Sequence, residues 1–244
     1  MTGTAAVPGA VLFDAAGTLI SLREPAAATY ARVAGHFGVS LPEPRLAEAF
    51  GRILRSAPPM VFPDADRGRI PELERAWWRQ VVRGTFRAAD SAVRFTDFDA
   101  CFGRLYAHFA RPEAWLATPD AAATLTELRV AGHATGVVSN FDCRLPAILE
   151  GLGLEELLDV VVLPSDAGCA KPDVRIFALA LRRLAATADC TVYVGDDAVL
   201  DVAGARAAGL RAIDVATLAT LAELPARLAD SASDPAGPAE DGGS

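Results

Sequence analysis

Three aspartates lie within six residues of one another, at Asp196, Asp197 and Asp201. Carboxylates this close repel one another unless a cation lies among them. Carboxylate oxygens suit Mg²⁺, which often takes only one or two protein carboxylates together with substrate oxygens. One of the three can instead cap a helix, and Asp197 is the best candidate for that role. The cluster predicts a site for a divalent cation.

Another carboxylate, Asp14, follows the apolar run 11–13 and precedes Gly17. On its own, Asp14 fits a turn residue as well as it fits a nucleophile or metal ligand. The chain also has 22 Arg but a single Lys, Lys171. Arg and Lys are not interchangeable where a compact positive charge is needed. Lys171 can therefore neutralise a phosphoryl oxygen and hold a carboxylate nucleophile in its charged form.

A hydroxyl and an amide follow a further apolar run, at Ser139 and Asn140. Taken alone, the pair is most simply a helix cap. Both side chains can also donate hydrogen bonds to an anionic oxygen. A nucleophile candidate, anion donors, a lysine and an acidic cluster thus follow one another along the chain, and the combination is far more specific than its members.

Each of these groups lies at the end of a predicted buried strand, or in the loop after one. The strands are predicted at 10–13, 134–138, 160–163, 191–194 and 211–215. Helices are predicted between them at about 120–131, 145–151, 174–184 and 199–208. This alternation indicates an α/β fold, with a parallel sheet covered by helices on both faces. Ligands bind beyond the carboxyl ends of the strands in such sheets, so we expect the polar groups to meet there.

Residues 22–112 break this alternation. Helical patterns cover 26–37, 45–55, 71–86 and 98–110, and we interpret them as an all-helical module inserted after the first strand. Trp77 and Trp78 are expected to serve packing within this module. The core is then predicted from 1–21 and 113–228. The segment 229–244, rich in Ser, Pro, Gly and Asp, is expected to be a disordered acidic tail.

Composition excludes several classes of partner. The formal net charge is −8 and the isoelectric point about 4.9, which argues against binding to nucleic acid or an anionic membrane. The sequence has no apolar run of about 18 residues, and residues 1–8 do not resemble a signal peptide. The four cysteines form no C-x-x-C pair and are interpreted as reduced thiols. We expect a cytoplasmic monomer or homodimer acting on a small molecule.

The ordered motifs resemble those of the haloacid dehalogenase-like superfamily of hydrolases. The first motif resembles residues 14–19, Asp-Ala-Ala-Gly-Thr-Leu, and the second residues 137–140, Val-Val-Ser-Asn. The third resembles Lys171-Pro172, and the fourth Gly195-Asp196-Asp197 with Asp201. The resemblance covers about residues 7–218. The helical module is similar in place and character to the cap of the helical-cap (C1) subgroup.

The resemblance implies a Rossmann-like core and a phosphatase-type reaction on a small phosphorylated metabolite, through an aspartyl-phosphate at Asp14. Asp14 and Lys171 would be the catalytic side chains. Mg²⁺ would be held by the Asp14 side chain, the main-chain carbonyl of Ala16, and Asp196, with Asp201 or Asp197 in support. The groups that would bind the transferring phosphoryl group are Ser139, Asn140, Lys171 and Thr18. Such a site works by positioning and charge neutralisation.

Ala16 departs from the family pattern. Phosphatases of the family carry a second Asp at this position, which protonates the leaving group and then activates water. General acid–base catalysis contributes about 10² to 10⁴ in rate. A phosphatase of low activity, or one that takes an acid from the cap or from Asp197, is the first interpretation.

Two other functions stay open. One is a weakly catalytic or non-catalytic binding module. The other is a 2-haloacid dehalogenase-like hydrolase that uses Asp14 without Mg²⁺, although the acidic cluster would then repel an anionic substrate. A phosphonate-cleaving relative is excluded, because it needs a cap lysine and residues 22–112 contain none.

Overall fold

The computed structural model describes residues 9–232. In chain order the strands are β1 (Ala10–Phe13), β2 (Ile20–Leu22), β3 (Trp115–Ala117), β4 (Ala134–Val138), β5 (Val160–Val162), β6 (Thr191–Gly195) and β7 (Arg211–Asp214). Five of them form one parallel sheet in the order β5-β4-β1-β6-β7. These are the five strands predicted from the sequence. The other two, β2 and β3, form a short antiparallel pair that the sequence analysis missed.

Strand β1 is central and fully buried, with β4 on one side and β6 on the other. Its last residue, Phe13, pairs with Val137 of β4 and Val194 of β6. Because parallel strands in this register end at one edge, the residues that follow them are brought together. Asp14, Ser139 and Asp196 are those residues.

Helices cover both faces of the sheet, as predicted for the α/β class. In chain order they are α1 (Ala26–Gly35), α2 (Glu43–Ser56), α3 (Ile70–Ala89), α4 (Phe98–Phe109), α5 (Ala121–Val130), α6 (Leu145–Gly151), α7 (Pro164–Ala167), α8 (Val174–Leu184), α9 (Gly204–Ala207) and α10 (Leu224–Ala232). Helices α5, α6 and α10 pack on the face that carries Val11 and Phe13. Helices α8 and α9 pack on the opposite face, against Leu12 and Tyr193. This alternation of side chains follows the period of two residues in a strand.

The segment predicted as one helix at 199–208 has two parts. Residues Ala198–Ala203 form a π-helical turn before α9 begins. The Val202 N–H donates to the Asp197 carbonyl at 3.1 Å, which is the wider spacing of a π turn. Such turns are frequent at functional sites.

Helices α1–α4 lie between β2 and β3 in the chain, and we call residues 26–109 the helical insert. The insert has its own hydrophobic cluster, in which the Tyr30 and Phe86 rings stack with centroids 5.6 Å apart. Two of its helices begin with residues typical of helix N-termini. Pro71 lies in the first turn of α3, and the Asp97 side chain caps α4. The division of the chain into a core and a separately folded cap stays a prediction.

The predicted tail begins too early. Helix α10 continues past residue 229 to Ala232, so the start of the predicted disordered segment is wrong. Apolar side chains of this helix, Leu224 and Leu228, are buried in the core, which explains why it continues. Residues 233–244 lie outside the described residues. Within residues 9–232, none of the helices has the length and hydropathy needed to cross a bilayer.

Replacing Phe86 by Ala tests the packing of the helical insert. Phe86 is fully buried, so we expect the free energy of unfolding to fall by about 3–5 kcal/mol. Urea titration followed by circular dichroism measures the change. Val130→Ala is the control, because that side chain is 84% exposed and its loss should change stability by less than about 0.5 kcal/mol. Equal effects of the two variants would contradict the assigned cluster.

Candidate active site

The ammonium group of Lys171 is buried among three oxygen atoms at the carboxyl edge of the sheet. Its Nζ lies 2.7 Å from Asp14 Oδ1 and 2.6 Å from Asp201 Oδ1, and it donates to Tyr193 Oη at 2.9 Å. The whole residue is only 5% exposed. A lysine has three N–H donors, and each of them here has an oxygen acceptor. The structure thus brings together the predicted nucleophile and the predicted lysine.

Asn140 holds the backbone of the loop that carries Lys171. Its Nδ2 donates to the Lys171 carbonyl at 3.0 Å, and its Oδ1 accepts from the Lys171 N–H at 2.8 Å. This pair of bonds links the end of β4 to the loop that carries Lys171, which we call the lysine loop. It fixes the backbone position from which the Lys171 side chain extends. In this structure Asn140 is a positioning residue. Its predicted direct contact with a phosphoryl group stays a prediction.

Asp201 is buried and uses both of its carboxylate oxygens on protein donors. Oδ1 accepts from Lys171 and lies 3.0 Å from Tyr193 Oη. Oδ2 accepts from the N–H groups of Asp196 and Asp197, at 3.2 Å and 3.0 Å. Gly195 permits this close approach because it has no Cβ. A Cβ at this position would lie 2.5 Å from the Asp201 carboxyl. These bonds favour the supporting role that the sequence offered for Asp201.

Asp196 lies at the exposed mouth of the same cluster. Partial burial of its carboxyl raises its pKa, and the negative charges of Asp14 and Asp201 raise it further. Gly17, which has a φ of 98°, faces this side chain, and a Cβ at Gly17 would lie 2.3 Å from Asp196 Oδ2. Only glycine therefore combines this backbone conformation with the close approach of the carboxylate.

The acidic cluster fits a divalent cation. Carboxylate oxygens of Asp14, Asp196 and Asp201 lie within 4.8 Å of one another. Lys171 supplies one positive charge against three negative ones, so charge remains to be balanced. The carbonyl of Ala16 accepts no hydrogen bond from any described residue and has capacity for a ligand. Hard oxygen donors of this kind suit Mg²⁺.

Asp197 has the capping role that the sequence also offered. Its Oδ1 accepts from the N–H groups of Val199 and Leu200, both at 2.8 Å. Among the described residues, Asp197 is not part of the acidic cluster. The structure therefore does not bring this predicted metal residue together with Asp14.

Two predicted phosphate-binding hydroxyls, those of Thr18 and Ser139, are buried near the strand ends. Thr18 is 1% exposed, and its Oγ1 has no hydrogen-bond partner among residues 9–232. Ser139 is 3% exposed and is fixed by its N–H, which donates to the Val162 carbonyl at 3.1 Å. A buried hydroxyl without a partner is destabilising, and the phosphoryl contacts of Thr18 and Ser139 stay predictions.

Tyr193 is a site residue that the sequence analysis missed. It is fully buried in β6, and its hydroxyl accepts from Lys171 and donates to the Val138 carbonyl at 2.7 Å. Burial, with the charges of Asp14 and Asp201, raises its pKa well above the usual value, so the phenol stays protonated. The available signal was a tyrosine between two valines of a buried strand, because a buried hydroxyl needs a partner.

Comparisons with known proteins identify the family of the chain. A family model for haloacid dehalogenase-like hydrolases matches residues 8–209. The chain is 37% identical to haloacid dehalogenase-like hydrolase domain-containing protein 3 of Mus musculus over 207 residues, which cover 84% of this chain and 80% of that protein. It is 33% identical to a ribulose-1,5-bisphosphate 5-phosphatase of Halopiger xanaduensis, over 62% of this chain and 69% of the relative.

A solved structure has the same fold. The crystal structure of a HAD phosphatase from Thermococcus onnurineus is 25% identical in sequence and superposes with a TM-score of 0.59, covering 90% of this chain and 97% of that one. The family model spans the four strand-end motifs up to the acidic cluster, and the structure brings the nucleophile, the lysine and that cluster to one edge of the sheet. The chain belongs to the haloacid dehalogenase-like hydrolase family.

Proposed function

We propose that the chain is a Mg²⁺-dependent phosphatase-type hydrolase that takes the phosphoryl group of a small phosphorylated metabolite onto Asp14. The observation that carries the proposal is the buried Lys171 ammonium, which contacts both Asp14 and Asp201 beside the exposed carboxylate of Asp196. The relative named for phosphatase activity supports the same reaction class. We further propose that the protein acts in the cytoplasm, as a monomer or homodimer, without a nucleic-acid or membrane partner.

In the first step, a carboxylate oxygen of Asp14 attacks phosphorus, and the P–O bond to the organic group breaks. The leaving oxygen departs as an anion and takes a proton from water. Lys171 holds Asp14 Oδ1 and leaves Oδ2 to attack. Ser139 and Thr18 donate hydrogen bonds to the phosphoryl oxygens. Asp14, Asp196 and the Ala16 carbonyl would hold Mg²⁺, which would supply positive charge to the phosphoryl group. In the second step, water attacks the phosphorus of the acyl phosphate, the bond to Asp14 breaks, and inorganic phosphate is released with Asp14 restored.

Ala16 limits both steps. No carboxylic acid at position 16 can protonate the leaving oxygen or activate water. Good leaving groups, such as phenolates, need the proton least, so aryl phosphates should react faster than alkyl phosphates. The aspartyl-phosphate should hydrolyse slowly and accumulate.

A cavity between the helical insert and the core supports an apolar organic group on the substrate. Its volume is about 120 Å³. Its lining includes Tyr30, Trp78 and Phe141, with Arg144 as the charged member. Phe141 is two residues from Ser139, so the cavity adjoins the loop that begins at the candidate phosphoryl site. Apolar walls with a few polar groups are typical of small-molecule sites.

A binding role without turnover is the second candidate function, and Ala16 is the observation that favours it. A dehalogenase-like reaction is less compatible with the site, because Asp196 and Asp201 would repel a substrate carboxylate in the absence of a cation. Chloride release from 2-chloropropionate distinguishes that reaction from phosphate release.

The first prediction concerns the nucleophile and the cation. We expect the purified protein to hydrolyse p-nitrophenyl phosphate with Mg²⁺ and to lose the activity with EDTA. Asp14→Asn should reduce turnover by at least about 10³-fold, because the amide is not a nucleophile. The exposed Asp64→Asn is the matched control and should keep wild-type turnover. Equal rates for the wild type and Asp14→Asn would overturn the proposal.

The second prediction concerns Ala16. After mixing with acetyl phosphate, intact-protein mass spectrometry should show a phosphorylated species that persists and is absent in Asp14→Asn. Ala16→Asp should raise turnover of alkyl phosphates by about 10²-fold, since it supplies the missing acid and base. An unchanged rate would mean that another group already acts as the acid. Persistent phosphorylation with no turnover in either form would support the binding role.

The third prediction concerns Tyr193. Tyr193→Phe removes the hydroxyl that accepts from Lys171, so the ammonium loses one of its three partners. We expect kcat to fall by about 10-fold, which corresponds to roughly 1.4 kcal/mol. Thr85→Val removes a buried hydroxyl of the helical insert, which donates to the Val81 carbonyl at 2.9 Å, and is the control. Steady-state kinetics that give equal kcat values for Tyr193→Phe and the wild type would contradict the role assigned to this hydroxyl.

A further inference from the structure

The loop 139–144, which follows β4, ends in a buried ion pair. Asp142 is fully buried, and its carboxylate accepts from the Arg144 guanidinium through both oxygens, at 2.8 Å and 2.5 Å. The backbone N–H of Arg144 also donates to Asp142 Oδ1, at 3.0 Å. This ion pair lies outside the cluster around Asp14, and the reaction described above does not use it.

The helical insert contacts this loop at several points. The Trp78 indole N–H donates to Asp142 Oδ2 at 2.5 Å, and Glu74 Oε2 accepts from the Cys143 N–H at 3.0 Å. Arg144 donates to the Tyr106 carbonyl at 3.3 Å, and its guanidinium lies 4.1 Å from the centre of the Tyr106 ring. Helices α3 and α4 of the insert therefore hold the far end of the loop.

The near end of the same loop holds the lysine. Asn140 is two residues before Asp142, and it makes two hydrogen bonds with the Lys171 backbone. Lys171 in turn contacts Asp14. A continuous series of hydrogen bonds and short loop connections thus runs from Trp78 in the insert, through Asp142 and Asn140, to the nucleophile.

We propose that Trp78 and Asp142 are positioning residues, through which the helical insert sets the placement of Ser139, Asn140 and Lys171 for phosphoryl capture. The proposal rests on the proposed function for its kinetic consequence. Its structural consequence, the ordering of the loop, is independent of turnover. The physical reason is that Asp142 is buried, so the loss of one donor to its carboxylate destabilises this loop conformation.

Trp78 also lines the apolar cavity, which gives it a competing role as a pocket wall. The two roles differ in their dependence on substrate. A wall affects only substrates that fill the cavity, and it acts mainly on KM. A positioning residue affects capture from every phosphoryl donor, and it acts on kcat/KM, because slow breakdown of the aspartyl-phosphate sets kcat.

Trp78→Phe separates these roles, with acetyl phosphate and p-nitrophenyl phosphate as substrates. The variant keeps an aromatic ring but removes the N–H donor to Asp142. We expect kcat/KM to fall by the same factor, about 10-fold, for both substrates. Trp77→Phe is the matched control, since its N–H donates at 2.8 Å to the Pro58 carbonyl within the insert, and it should leave both kcat/KM values unchanged. Unchanged kcat/KM values, or a fall in kcat/KM for the aryl substrate alone, would overturn the proposal.

Hydrogen exchange followed by mass spectrometry tests the proposal without turnover. Peptides that cover 139–145 and 169–173 should exchange faster in Trp78→Phe than in the wild type, and Trp77→Phe should leave them unchanged. Unaltered exchange in Trp78→Phe would overturn the positioning role. Absence of phosphatase activity in the wild type would instead overturn the proposed function, so the two failures are distinguishable.

Discussion

The arrangement of the candidate site depends on one buried lysine. Lys171 places a positive charge where it is almost fully screened from water, and such a charge is stable only with close partners. Asp14, Asp201 and Tyr193 provide them, each within 2.9 Å of Nζ. These partners come from the end of β1, the π turn and the interior of β6. The strand register, the lysine loop and the turn must therefore all be correct at once.

Small residues make this convergence feasible. Gly195 and Gly17 lie against the carboxylates of Asp201 and Asp196, where a Cβ would approach within 2.5 Å and 2.3 Å respectively. The parallel register of β1 with β4 and β6 brings the polar residues to one edge. The Asn140 side chain then fixes the Lys171 backbone, which places the Lys171 side chain beside its partners.

The sequence predicted the five-stranded sheet and most of the site, because buried parallel strands are near-continuous apolar runs and chemistry lies at their ends. It missed β2 and β3, which are three residues each and too short for a periodic signal. It missed Tyr193, because residues in the interior of a buried strand are interpreted as packing residues of the core. The link between Trp78 and Asp142 joins residues 64 apart in sequence, and no local pattern reveals such a contact. The ends of helices, such as that of α10, depend on which side chains are buried in the core.

The central claim is that Asp14 captures a phosphoryl group beside Lys171 and a cation. A crystal structure of the chain with Mg²⁺ and beryllium fluoride, a mimic of the aspartyl-phosphate, tests it most directly. The account predicts beryllium bonded to a carboxylate oxygen of Asp14, a fluorine within hydrogen-bond distance of Lys171 Nζ, and Mg²⁺ in contact with Asp14 and Asp196. Beryllium fluoride bound elsewhere, or Asp14 left unmodified with Mg²⁺ absent from the cluster, would contradict it.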